Sequence, residues 1–159
     1  MSAQTSYSLT QPVAYAGLIY ALHPHQIDSR AVETAAGIGF GLAVSRGTDL
    51  EKQCVLGGTA FLGITVRSLD READDAAGAI EYSQYETAAI MRQGYIWATL
   101  PAGGNPGDAI LYNNTTGVLD VGTAGAGETQ LDGATLETVT AAGELGVIRL
   151  ENTNTTAGS

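Results

Sequence analysis

MRQGYIWATLPAGGNPGDAILYNNTTGVLDV, from Met91 to Val121, contains two apolar runs separated by a glycine-rich break at residues 101–108. Such a break is either a phosphate-binding loop or a turn between two strands. A phosphate-binding loop requires a helix N-terminus after it, and often a lysine, serine or threonine in place. Here the segment after the break is short and apolar and soon reaches a second turn. The stretch therefore predicts two core strands joined by an exposed turn, with Trp97 or its neighbour Ile96 buried.

Turn signals divide the surrounding region into a predicted meander. Arg92-Gln93-Gly94 interrupts the first apolar run, and residues 113–117, NNTTG, interrupt the second. Glycine and asparagine between runs of strand length are typical of hairpin turns. We therefore expect one strand to end near Arg92 and a new one to begin at Tyr95.

The first half of the chain carries similar signals. Cys54–Leu56 and Phe61–Arg67 are predicted to form a strand pair around a turn at Gly57-Gly58. In the second strand, the residues of one parity are apolar and are expected to face the core: Leu62, Ile64 and Val66. Val13–Leu22 is expected to be a strand, and residues 26–37 a loop or a single helical turn.

Short strands at intervals of about ten residues are typical of β-sandwiches and small barrels. We therefore expect an all-β or mostly β protein, a small barrel or sandwich formed by one domain at residues 13–150. Residues 1–12 are polar and are expected to be an extended N-terminal arm. Residues 151–159 carry no large apolar residue that could anchor them, so a flexible C-terminal tail is expected.

The charge of the chain limits its partners. The sequence has 17 acidic and 7 basic residues and a net charge of −10. Such a surface repels phosphate, so neither nucleic acid nor an anionic membrane is an expected partner. The N-terminus carries no secretion signal pattern, and no run approaches the roughly 18 apolar residues of a membrane span. The acidic excess either confers solubility or favours docking onto a basic surface of another protein.

Few side chains are candidates for catalysis or for binding a metal ion. The only histidine cluster, His23 and His25 near Asp28, has proline between the histidines and no assured third ligand. The acidic residues Asp70, Glu72, Asp74 and Asp75 lack the order of a calcium loop and are expected to be solvated. The single cysteine, Cys54, is expected to be buried. We therefore predict no enzyme, no metal site and no cofactor.

Tyrosine is the notable aromatic residue, with seven copies among ten aromatic side chains. A tyrosine combines apolar area with a polar tip, which suits interfaces. We expect Tyr95 and Tyr112 to pack in the core, and Tyr7 on the arm to contact another chain.

Four segments, taken in order, resemble the head cement or decoration proteins of tailed phages: GIGFGLAVSRG (37–47), FLGITV (61–66), YETAAIMRQGYIWATL (85–100) and GDAILYNNTTGVL (107–119). The resemblance covers roughly residues 13–150, including Tyr15. It implies a small β-rich protein, often a trimer, which binds the outside of an assembled capsid. It further implies an N-terminal region that reaches across neighbouring subunits.

On this basis we expect a virion protein on the outer capsid surface, made in the bacterial cytoplasm of the host. Its expected partners are the phage major capsid protein and itself, as a homotrimer. Bridging of capsid subunits would stabilise the shell. The expected capsid or subunit contacts are Tyr7, Tyr15, Tyr20, Arg46, Asn105 and Asp108.

Two other functions stay open from the residues alone. A carbohydrate- or receptor-binding module of the virion would also be β-rich and contain tyrosine. A small hydrolase would require His23 or His25 to meet an aspartate or a serine in a pocket.

Overall fold

The computed structural model describes residues 13–69 and 81–158, with the backbone alone for 152–154. The predicted arm at 1–12, including Tyr7, lies outside the described residues, as do the four acidic residues predicted to be solvated, Asp70, Glu72, Asp74 and Asp75. The described chain is all β, without a helix, as predicted. Its strands are β1 Gln26–Val32, β2 Ala43–Arg46, β3 Gln53–Leu56, β4 Phe61–Thr65, β5 Thr87–Leu100, β6 Ala109–Asn113, β7 Leu119–Val121, β8 Glu128–Leu136 and β9 Glu144–Ala157.

The first five strands form a closed barrel. Their order is β1-β3-β2-β4-β5, and β1 also pairs with β5, with Ser29 opposite Ala89. Closure leaves none of these strands with a continuous free edge. The barrel surrounds buried side chains that include Val32, Val44 and Leu62.

A second sheet contains the C-terminal half of β5, followed by β9, β8, β6 and β7. β5 and β9 are antiparallel, with Ile96 opposite Ile148. These two residues and Tyr112 are fully buried in a second apolar cluster. The β6–β7 hairpin turns at residues 113–117, as the sequence predicts.

Strand β5 belongs to both units, so the predicted strand end near Arg92 is wrong. The strand continues through Gly94, which has a φ of 129°. A side chain is rarely compatible with that backbone, and a Cβ at Gly94 would lie 2.7 Å from the Cβ of His25. The glycine therefore bends the strand from one sheet into the other without ending it.

Two predictions about the first half are also wrong. Val13–Leu22 contains turns rather than a strand, and Gly17 in it has a φ of 83°. Residues 26–32 form β1 instead of a loop. The polar residues of β1 hide its strand pattern in the sequence, and one of them is paired with a neighbouring strand: the Asp28 carboxylate lies 3.2 Å from the Arg92 guanidinium on β5.

The predicted pair Cys54–Leu56 and Phe61–Arg67 exists as two strands, β3 and β4, which are not neighbours. Both pair with β2, which lies between them. The segment that supplies β2 precedes both strands in sequence, so the local turn signal could not reveal it. Leu62, Ile64 and Val66 are buried as predicted, but Gly63 and Thr65, which have the opposite parity, are buried as well, so β4 has no solvent-facing side at these positions.

The expectation of a flexible tail is wrong for residues 151–157, which continue β9. They pair with β8, with Leu131 opposite Thr155 and Thr129 opposite Ala157. The backbone groups of β8 supply hydrogen-bond partners, so this polar segment needs no apolar anchor to be a strand.

The predicted turn at residues 101–108 is confirmed. It separates β5 from β6, and Asn105, Pro106 and Gly107 are exposed. Of the two residues predicted to supply a buried side chain, Ile96 is fully buried and Trp97 is partly exposed.

Replacement of Gly94 by alanine tests the bend. We expect Gly94→Ala to lower the free energy of unfolding by about 1–3 kcal/mol, because the backbone is strained for a side chain and the Cβ collides with His25. Urea denaturation of the purified protein measures the change. Gly39→Ala is the matched control, since its Cβ would meet only Leu42 at 3.4 Å. Equal stability of the two variants would contradict the role of Gly94.

Candidate interaction surface

The segment at residues 13–22 covers the open edge of β5 in the second sheet. The N–H of Gly17 donates to the carbonyl oxygen of Trp97 at 2.7 Å, and the N–H of Trp97 donates to that of Leu18 at 2.9 Å. The N–H of Tyr20 donates to the carbonyl oxygen of Tyr95 at 3.0 Å. These bonds hold the segment along β5 and fix the positions of its aromatic side chains.

Four rings form an aromatic patch, defined here as Tyr20, His23, Tyr95 and Trp97. The ring centre of Tyr20 lies 5.5 Å from that of Trp97 in an edge-to-face arrangement and 6.5 Å from that of Tyr95. His23 lies 4.7 Å from Tyr95. Tyr20 is 48% exposed. Tyr95 is only half-buried, so its predicted place in the core is wrong. Tyr112 lies in the core as predicted.

Tyr15, on the same segment as Tyr20, contacts a cation. The guanidinium carbon of Arg67 lies 4.9 Å from the ring centre of Tyr15 and 5.1 Å from that of Phe40. An arginine over aromatic faces is stabilised by the ring quadrupoles. The contact holds Tyr15 while leaving it 49% exposed.

An apolar groove opens next to Trp97, with a volume of about 350 Å³. Its lining residues are Val13, Ala14, Trp97, Glu144 and Leu145. The groove therefore combines the start of the described chain with Trp97 on β5 and the first two residues of β9. We call this the Trp97 groove.

The loop at residues 101–108 is bound to the connection that precedes β9. Gly104 and Thr140 exchange backbone hydrogen bonds of 2.8 and 2.9 Å. Within the loop, the Asp108 carboxylate accepts the N–H of Asn105 at 2.8 Å. Asn105 is exposed in this loop, and Asp108 shapes the loop.

Comparison with known proteins assigns this chain to a family. A sequence model of the family described as structural cement protein (E217 gp24/Pam3 gp6) matches residues 3–151. The chain belongs to this family. No curated protein matches the sequence significantly.

The fold of the cement protein also occurs in a solved phage capsid. A chain of the structure titled "The capsid of Myoviridae Phage XM1" superposes with a TM-score of 0.73 at 16% sequence identity. The match covers 96% of the cement protein and 99% of that chain. The two chains therefore share the whole fold despite little sequence identity.

Arg46 is not part of the surface around Trp97. It ends β2 in the barrel, and its guanidinium donates to the carbonyl oxygen of Leu50 at 2.8 Å. The same loop is held by Glu33, whose carboxylate accepts the N–H of Thr48 at 2.7 Å and its hydroxyl at 2.5 Å. These two hydrogen bonds from Thr48 lower the pKa of Glu33 below its ordinary value.

The histidine cluster has no catalytic arrangement. The Nδ1 atom of His25 lies 2.9 Å from the carbonyl oxygen of His23, and Asp28 faces Arg92 and Arg30 instead of either ring. Within residues 13–69 and 81–158, no group of three or more His, Cys, Asp or Glu is placed to hold a metal ion. The same residues contain no helix long and apolar enough to cross a membrane. Cys54 is buried as expected, and burial raises the pKa of its thiol to about 11.

Sequence reasoning missed the Trp97 groove. Its walls come from residues 13–14, Trp97 and residues 144–145, which are far apart along the chain. One signal was available: Tyr95, Trp97 and Thr99 share a parity opposite to that of the buried Ile96. This parity places Trp97 on the outer face of the sheet, where only part of its ring is covered.

Replacement of Glu33 tests how the loop with Arg46 is held. The pKa of Glu33 is lowered in the folded state, so its contact with Thr48 is complete above the ordinary value of 4.5 and is lost as pH falls through the lowered folded-state pKa. An NMR titration should therefore show the Thr48 amide resonance moving below pH 4.5 toward its position in Glu33→Gln.

Glu51→Gln is the control for this titration, because the Glu51 side chain, in the same loop, bonds to no described residue. Its Thr48 resonance should titrate as in the wild type. A wild-type resonance that does not move in acid would contradict the contact.

Proposed function

We propose that this cement protein binds the outer surface of an assembled phage capsid and stabilises it by bridging neighbouring major capsid subunits. The family match over residues 3–151 carries the proposal. The family is described as a structural cement protein, which supports a non-enzymatic role. The protein would act in the virion after synthesis in the host cytoplasm.

The separation of the expected contact residues supports bridging. Tyr15 and Tyr20 are exposed on the segment that lies along β5, and Asn105 is exposed in the turn between β5 and β6. Arg46 is exposed on the barrel, at the end of β2. Two contact regions on different β units are what a protein needs in order to hold two subunits at once. Tyr7 would add a contact from the arm, while Asp108 would act by shaping the loop of Asn105.

The energetic basis is mass action. A protein that binds only the expanded shell stabilises that state, and many copies on one particle multiply a modest affinity. Assembly as a homotrimer would join three sets of contacts and raise the avidity further. The mass of the purified protein by analytical ultracentrifugation tests the trimer, and a single-chain mass would contradict it.

Heating of phage particles tests the function. Particles that lack the protein should release DNA at a lower temperature than complete particles, because subunit contacts resist the internal pressure less well. Release is measured with a DNA-binding dye during a temperature ramp. Addition of the purified wild-type protein should restore the higher temperature, and equal survival of both particle types would contradict the proposal.

A further inference from the structure

We propose that the Trp97 groove binds a lysine or arginine side chain of a capsid subunit. The inference rests on the proposed function and names the chemistry of one contact. The ligand side chain would lay its aliphatic stem on the apolar walls and direct its charged end to Glu144.

The walls of the groove suit the stem of a long basic side chain. Val13, which is 93% exposed, Leu145 and the ring of Trp97 present apolar surface to solvent. Lysine and arginine bury their stems along such surface while the charged end stays near polar groups. A purely apolar ligand would use these walls but would leave the carboxylate of Glu144 without a partner.

The charge at the groove comes from Glu144. This residue is exposed and forms no ion pair or side-chain hydrogen bond with any described residue. Two arginines of this part of the molecule, Arg149 and Arg67, already have contact partners. Arg149 lies 3.2 Å from Glu137, and a hydrogen bond with Tyr95 and the Glu137 charge raise the pKa of Arg149. Arg67 is held over two rings.

The rest of the molecule favours the same partner. The net charge of −10 attracts a basic surface over distances of about 10 Å at moderate salt. An indole is the ring that attracts cations most strongly, and Trp97 is the only tryptophan of the chain. Arg67 over Tyr15 shows that this surface already holds one guanidinium in such a contact.

Co-sedimentation with expanded shells that lack the protein tests the charge. We expect Glu144→Gln to weaken binding about tenfold, since it removes a charge-assisted contact. Asp132→Asn is the matched control, because Asp132 is an exposed carboxylate on β8, outside both proposed contact regions, and an asparagine can still accept the hydrogen bond from the Thr156 hydroxyl. It should bind within about twofold of the wild type. Equal weakening of both variants, or of neither, would overturn the inference.

Hydroxyl-radical footprinting with mass spectrometry tests the position. Oxidation of Trp97 in the wild type should fall several-fold when shells are added, while Tyr85, which is 74% exposed on the barrel, stays reactive. If Trp97 is already as unreactive at the same protein concentration without shells, a second copy of the chain occupies the groove. That result would overturn the inference.

The two measurements separate the inference from the function. A wild-type protein that sediments with shells while Trp97 stays reactive would overturn the groove contact alone. A wild-type protein that does not sediment with shells would overturn both.

Discussion

The continuity of β5 through Gly94 is the constraint on which the rest of the structure depends. The N-terminal half of the strand closes the barrel against β1, and the C-terminal half starts the second sheet against β9. Ile90 is buried in one apolar cluster and Ile96 in the other. Because β5 contributes to both cores, the barrel and the second sheet share its backbone. Neither unit can therefore shift its strand register independently of the other.

The interaction surface follows from the same strand. β5 presents alternate residues outward, and its free edge binds the segment that carries Tyr15 and Tyr20. The first residues of β9 come to lie beside Trp97 because β9 is paired with β5. The surface is therefore built on rigid elements, which lets weak contacts from several side chains act together when a partner binds.

Local patterns predicted those elements whose evidence lies within about ten residues. The β6–β7 hairpin, the exposed turn at 101–108 and the burial of Leu62, Ile64 and Val66 all follow from apolar runs and turn residues. The insertion of β2 between β3 and β4, the strand identity of polar β1 and the pairing of residues 151–157 depend on distant partners. Gly94 shows the same limit, since a glycine that ends one strand and a glycine that bends another have the same sequence signal.

The buried Cys54 has a consequence for the life of a virion. A phage particle leaves a reducing cell interior for oxidising surroundings, where exposed thiols form disulfides. Oxidation begins from the thiolate, and the raised pKa of Cys54 keeps its thiol protonated while its burial excludes oxidants. A buried, protonated thiol is a poor site for a disulfide bond between two copies of the protein.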